Sequence, residues 1–149
     1  MIFLLLAILI ILGEFLLKNR LESRFSFQTY RPILKGKIIL RKYHNRGAFL
    51  NFLENKRKFL HMISIIFTLL ITLLFLVTAF QKGNHWLKLG LSLLLGGAFS
   101  NTYDRLSRGY VVDYFSFHTP FKKFNQIVFN ISDFCIILGC LILVICQKQ

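Results

Sequence analysis

The run FLHMISIIFTLLITLLFLVTAF, Phe59 to Phe80, contains no Asp, Glu, Lys or Arg. Such a run leaves few folds open. Roughly 17 to 25 mostly apolar residues cross about 30 Å of hydrocarbon at about 1.5 Å per residue, and a helix satisfies its own backbone hydrogen bonds where no water is available. Three further segments fit the same description. Met1 to Leu17 reads as a retained first span, because it lacks the basic leader and small-residue cleavage pattern of a signal peptide. His85 to Asn101 reads as a third, with Lys88 turned toward the interface and Trp86 anchored there, and Val128 to Cys146 as a fourth. At 149 residues, with 55% hydrophobic and 15% aromatic side chains, the chain is expected to form one polytopic membrane domain over residues 1–149, mainly α, with four transmembrane helices in a bundle.

Spans two and three are joined only by Gln81 to Asn84, which makes them an antiparallel pair. The other connections are longer, about 40 and about 26 residues by the lengths of the apolar runs. The first contains KIILRKYHNRGAFLNF, Lys37 to Phe52, whose β-branched and aromatic residues around an Asn-Arg-Gly break suggest a small β-element that must pack on the bundle. The formal net charge of +13 is spread through the segments between spans, without the patch or motif of a nucleic-acid binder; anionic lipid headgroups are the expected counter-charge. Of the 19 basic residues, 12 lie between Lys18 and Lys58, and a positive-inside count would place both long connections in the cytoplasm. Cys135, Cys140 and Cys146 lack CxxC spacing or histidine neighbours and read as small hydrophobes rather than disulfides or metal ligands.

Only six carboxylates occur. Glu22 and Glu54 stand among lysines and arginines and read as solvated surface ions. Glu14 has Lys18 at i+4 in the favourable order, which reads as an interfacial ion pair ending the first span. Asp104 and Arg105 follow Asn101 on adjacent helical positions and fit a tie between the helix end and the next loop. Gly109 permits a turn before YVVDYF, which sets Asp113 among apolar and aromatic neighbours. Asp133 falls six residues into the fourth run with Asn130 at i−3, an expensive position unless it faces a polar cavity. Asp113 and Asp133 flank one connection and can meet. Two carboxylates in one poorly solvated site share a proton and titrate together, the acid/base arrangement of an aspartic protease; the same pair also fits a structural polar cluster between helices.

The motifs GGAFSNTYDR (Gly96 to Arg105), GYVVDY (Gly109 to Tyr114) and FNISD (Phe129 to Asp133), preceded by NRGAF (Asn45 to Phe49), resemble in order and spacing those of the lipoprotein signal peptidases, four-span bacterial aspartic proteases of the cytoplasmic membrane. The resemblance implies catalytic roles for Asp113 and Asp133, and supporting roles for Asn45, Asn101, Asp104, Arg105 and Asn130. It also implies a close approach of Gly47 to substrate, and a counterpart of the family's D-x-x-x-K in Glu14 and Lys18. It further implies cytoplasmic termini, against the charge count, with both long connections, the β-element and the active site on the extracytoplasmic face. The substrates would be lipid-modified prolipoproteins, cleaved by a monomer without metal or organic cofactor. Four positions depart from the family pattern: Glu14 for aspartate, Ser100 for glycine, Tyr114 for phenylalanine and Ser132 for alanine. Two other readings compete: a non-catalytic relative that binds lipoproteins or lipids, and a small transporter or scaffold with an ion network through Asp104, Arg105 and Asp133.

Overall fold

The computed structural model describes residues 1–47 and 54–146. Four helices carry the chain: α1 (Ile2–Arg24), α2 (Arg57–Ala79), α3 (His85–Arg108) and α4 (Ile131–Cys146), with a three-stranded antiparallel sheet of β1 (Arg31–Ile33), β2 (Ile38–Asn45) and β3 (Val111–Phe117) in the order β1-β2-β3. Helix α3 is the centre of the bundle. More than half of its residues are buried, whereas α1, α2 and α4 turn exposed aliphatic faces outward, among them Leu9, Leu12, Leu69, Leu73, Leu138 and Leu141. Helices α1 and α2 are long and apolar enough to cross a membrane. The apolar α4 is shorter, at 16 residues, and α3 owes its polarity to the groups that it gathers on its buried side.

The helix ends differ from the expected spans for local reasons. Helix α1 does not stop at Leu17: Glu14 and Lys18 are 2% and 1% exposed, so they are a buried pair rather than an interfacial one, and the helix continues to Arg24. Helix α3 passes Asn101 and ends at Gly109, whose φ of 78° is the left-handed conformation that glycine adopts without cost. Lys88 folds back to donate to the Gln81 carbonyl, closing the α2–α3 turn. Helix α4 begins three residues late, because Phe129 is in extended backbone, paired with Phe115 of β3. Asp133 therefore lies in the first turn of α4, not several residues deep.

The β-element is larger than the first connection alone suggests. β2 pairs with β1 through a turn at 34–37, where Leu34, Lys35 and Gly36 all take positive φ. Its other neighbour is β3, which the second long connection contributes. The Asn-Arg-Gly break comes at the end of β2, whose last residue is Asn45, rather than turning the hairpin; Ala48 and Phe49 of that motif lie outside the described residues. One extra residue on β2 between Leu40 and Tyr43 bulges the ladder opposite Tyr114. A cluster of Phe115, Phe117, Phe124, Phe129 and Phe134 then ties the sheet to the start of α4.

Close helix contact is built by glycine. A Cβ on Gly97 would lie 2.5 Å from the Ser132 carbonyl oxygen, and one on Gly96 would lie 2.8 Å from Ile10. The adjacent pair thus admits α4 on one side of α3 and α1 on the other, as small residues do wherever helices pack closely. Gly97 has a positional consequence: Asn101, one turn further along α3, arrives beside the first turn of α4.

Candidate functional site

Strand alternation gives β3 two faces. Asp113 pairs with Tyr43 of β2, and the diagonal neighbour Asn45, on the same face, donates from Nδ2 to Asp113 Oδ2 at 2.9 Å. Asn45 Oδ1 in turn accepts the Gly47 N–H. Because Phe129 is bonded to Phe115 through its N–H (2.7 Å) and accepts the N–H groups of both Tyr114 and Phe115, Asn130 follows beside Asp113. Its Nδ2 donates to Asp113 Oδ1 at 2.6 Å.

Asn130 also caps α4. Its Oδ1 accepts the Asp133 N–H at 3.0 Å, and its own N–H donates to Asp133 Oδ2 at 3.0 Å, the reciprocal bonding of a capping box. One side chain thus grips Asp113 through its amide nitrogen and the Asp133 backbone through its amide oxygen, which fixes which way the amide points. Asn101 Nδ2 donates to Asp133 Oδ1 at 2.9 Å. Both carboxylates face a cavity of about 300 Å³ whose walls include Asn45, Asn101, Arg105 and apolar groups of α2, α3 and α4. Asp113 is 1% exposed, while Asp133 remains partly open. Burial, reinforced by the neighbouring Asp133 carboxylate and opposed by the amides of Asn45 and Asn130, pushes the Asp113 carboxyl up to about 8.

A second ring of buried charge lies behind this pair. Lys18 Nζ sits 3.0 Å from Asp104 Oδ2 and 3.4 Å from Glu14 Oε2, and donates to Ser100 Oγ and Asn101 Oδ1, each at 3.0 Å. Asn101 is therefore held at both ends, by Lys18 and by Asp133. Asp104 accepts from Arg108 Nε on its own helix and from the Val112 N–H, which ties the end of α3 to β3. Arg105 turns to the cavity instead: Nη2 reaches the Gly47 carbonyl at 3.4 Å, and its buried Nε has no hydrogen-bond partner among the described residues.

Glu14 gathers groups that sequence reasoning marked only as departures. Tyr114 OH donates to Glu14 Oε1 at 2.6 Å and accepts the Ile131 N–H at 3.0 Å. Ser132 gives Glu14 Oε2 both its hydroxyl, at 2.8 Å, and its N–H, at 3.3 Å. The first three N–H groups of α4 thus end on Tyr114, Glu14 and Asn130, from three different segments. Glu22, expected as a solvated ion, is also engaged: Lys42 and His44 lie within 3.1 Å and 2.9 Å of Oε1, and Tyr110 OH donates to it. The same expectation for Glu54 falls on a side chain outside the described ones.

The chain belongs to the signal peptidase II family: the family described as "Signal peptidase (SPase) II" matches residues 6–148. Membership of this peptidase family makes the chain a protease by class. Two solved structures, both described as bacterial membrane enzymes determined by the in meso method, share its fold. The one at 2.3 Å resolution has a TM-score of 0.83 and 22% identity over 98% of this chain and 87% of its own. The one at 1.9 Å has a TM-score of 0.80 and 21% identity over 99% and 92%.

Proposed function

We propose that the chain is a membrane aspartic endopeptidase, with four spans and an extracytoplasmic sheet, that removes signal peptides from diacylglyceryl-modified prolipoproteins just before the lipidated cysteine. The observation that carries this reading is that one buried residue, Asn130, holds both Asp113 and Asp133 at a single cavity. Asp133, the more open carboxylate, takes a proton from a water molecule as its oxygen attacks the scissile carbonyl carbon. Asp113, which burial keeps protonated, gives its proton to the carbonyl oxygen. The tetrahedral diol then collapses: the C–N bond breaks, the proton held by Asp133 passes to the departing amine, and a diol hydroxyl returns its proton to Asp113. Arg105, whose Nε donor has no partner among the described residues, stands in the cavity wall to donate to a substrate peptide carbonyl.

The lipid of the substrate stays in the bilayer beside the apolar helix faces, and the cleavage site enters the cavity laterally. Asp113→Asn and Asp133→Asn are each expected to lower cleavage of a lipidated precursor by roughly 10²- to 10⁴-fold, the contribution of one general acid or base, with the protein still inserted in membranes. Full cleavage by either variant would remove the carboxylate pair from the reaction.

A further inference from the structure

The end of the sheet away from the cavity carries its own pattern. At the β1–β2 turn, Ile33, the last residue of β1, and Leu34 are exposed. β3 leaves the sheet at the same end, where Ile38 pairs with Phe117 and the His118 N–H donates to the Lys37 carbonyl at 2.8 Å. That bond sets the segment after β3 beside the turn, and this segment exposes Phe121 and Phe124. The same two segments carry the exposed cations Arg31, Lys35, Lys37, Lys122 and Lys123. No carboxylate occurs between Glu22 and Glu54, or between Asp113 and Asp133, so the edge has no counter-charge of its own. β2 runs from this edge, at Ile38, to the cavity, at Asn45, a span of roughly 23 Å at about 3.3 Å per residue. The edge is therefore separate from the carboxylate site.

Water serves such a surface badly, because it leaves aliphatic and aromatic groups exposed beside cations that repel one another. Another protein could cover the apolar groups, but uniform positive charge contributed by two non-consecutive segments matches a continuous negative plane. We propose that this edge docks on anionic lipid headgroups, with Leu34 and Phe121 seated at the headgroup–acyl boundary and the surrounding cations at the phosphates. The docking does not depend on the reaction proposed above.

The test places the sole tryptophan at the edge, as Leu34→Trp in a Trp86→Phe background, in vesicles whose acyl chains carry bromine. Its emission is expected to be blue-shifted and strongly quenched in phosphatidylglycerol and much less so in phosphatidylcholine. Lys35→Gln, Lys37→Gln, Lys122→Gln and Lys123→Gln together should bring the phosphatidylglycerol signal down to the phosphatidylcholine level. Quenching of Trp86 in a chain carrying only the four glutamines reports that this variant is inserted. Water-exposed, unquenched emission in both lipids would overturn the proposal, as would equal quenching in both that survives the four substitutions.

Discussion

Asp113 and Asp133 look alike in the sequence, two aspartates among apolar neighbours, and their surroundings separate them. Asp113 is sealed under β2 and Asn130, and its carboxyl is raised to about 8 against an unfolded value of about 3.9. The folded protein therefore holds more protons than the unfolded one between these values. The sign follows: this group favours folding below about pH 4, and that contribution is lost as pH rises to about 8. Asp113→Asn is expected to gain thermal stability relative to the parent as pH is raised through this window, and then to level off; a gain independent of pH would contradict the assigned proton. On the proposed reaction the parent also loses cleavage activity above about pH 8, as the shared proton leaves. A second residue-scale consequence concerns the four family departures, scattered along the sequence from Glu14 to Ser132. In space Tyr114 and Ser132 both bond Glu14, and Ser100 bonds its partner Lys18. Tyr114→Phe strands a buried carboxylate oxygen and the Ile131 N–H, at a cost of about 1 to 3 kcal/mol. Combining Glu14→Asp, Ser100→Gly, Tyr114→Phe and Ser132→Ala in one chain should cost less than the four single changes summed, by about 0.5 to 3 kcal/mol of coupling in melting experiments; strict additivity would mean that the four act separately.

At the scale of elements, apolar runs located every helix, because hydrocarbon length and helix rise leave little freedom. Their ends were harder to read. Whether Glu14 and Lys18 end a helix or are swallowed by it depends on Asp104, which is 86 residues beyond Lys18. Likewise, nothing local in VFNISD says that Phe129 will join β3 and delay α4 by three residues. β3 itself read only as a resumption after a turn, since its partner strand lies in the other long connection. Gly97 lets α3 approach the first turn of α4 closely. Gly97→Ala puts a methyl group 2.5 Å from the Ser132 carbonyl, so the first turn of α4 must shift away from Asn101. A loss of about 1 to 3 kcal/mol is expected from such overpacking, with cleavage falling further than stability explains. Gly13→Ala is the control. Its Cβ meets nothing within 4 Å, and alanine in a helix gains roughly 0.5 to 1 kcal/mol over glycine. Equal effects at both positions would show that helix propensity, rather than the α3–α4 approach, sets the result.

For the whole molecule, the charge count and the family motifs point in opposite directions, and the structure shows where the counted cations lie. The carboxylate site, the sheet, the C-terminal ends of α1 and α3 and the N-terminal ends of α2 and α4 share one end of the bundle. Most basic residues gather there too. Several of them are structural rather than solvated: Lys18 is buried between Glu14 and Asp104, Lys42 is paired with Glu22, and Arg41 donates to the Asn125 and Gln126 carbonyls. Arg108 bonds Asp104, and Arg105 faces the cavity. The cations at the sheet edge have a second use if they hold headgroups. On the function proposed above, the site end is expected outside the cytoplasmic membrane despite its charge, and the short turn at Lys82 inside. With Cys135, Cys140 and Cys146 replaced by alanine, Arg46→Cys is expected to react with a membrane-impermeant maleimide in intact cells, and Lys82→Cys only after permeabilisation. The reverse pattern would place the cavity on the cytoplasmic side, where a precursor cleaved after export could not reach it, and the proposed substrate class would fall with the orientation.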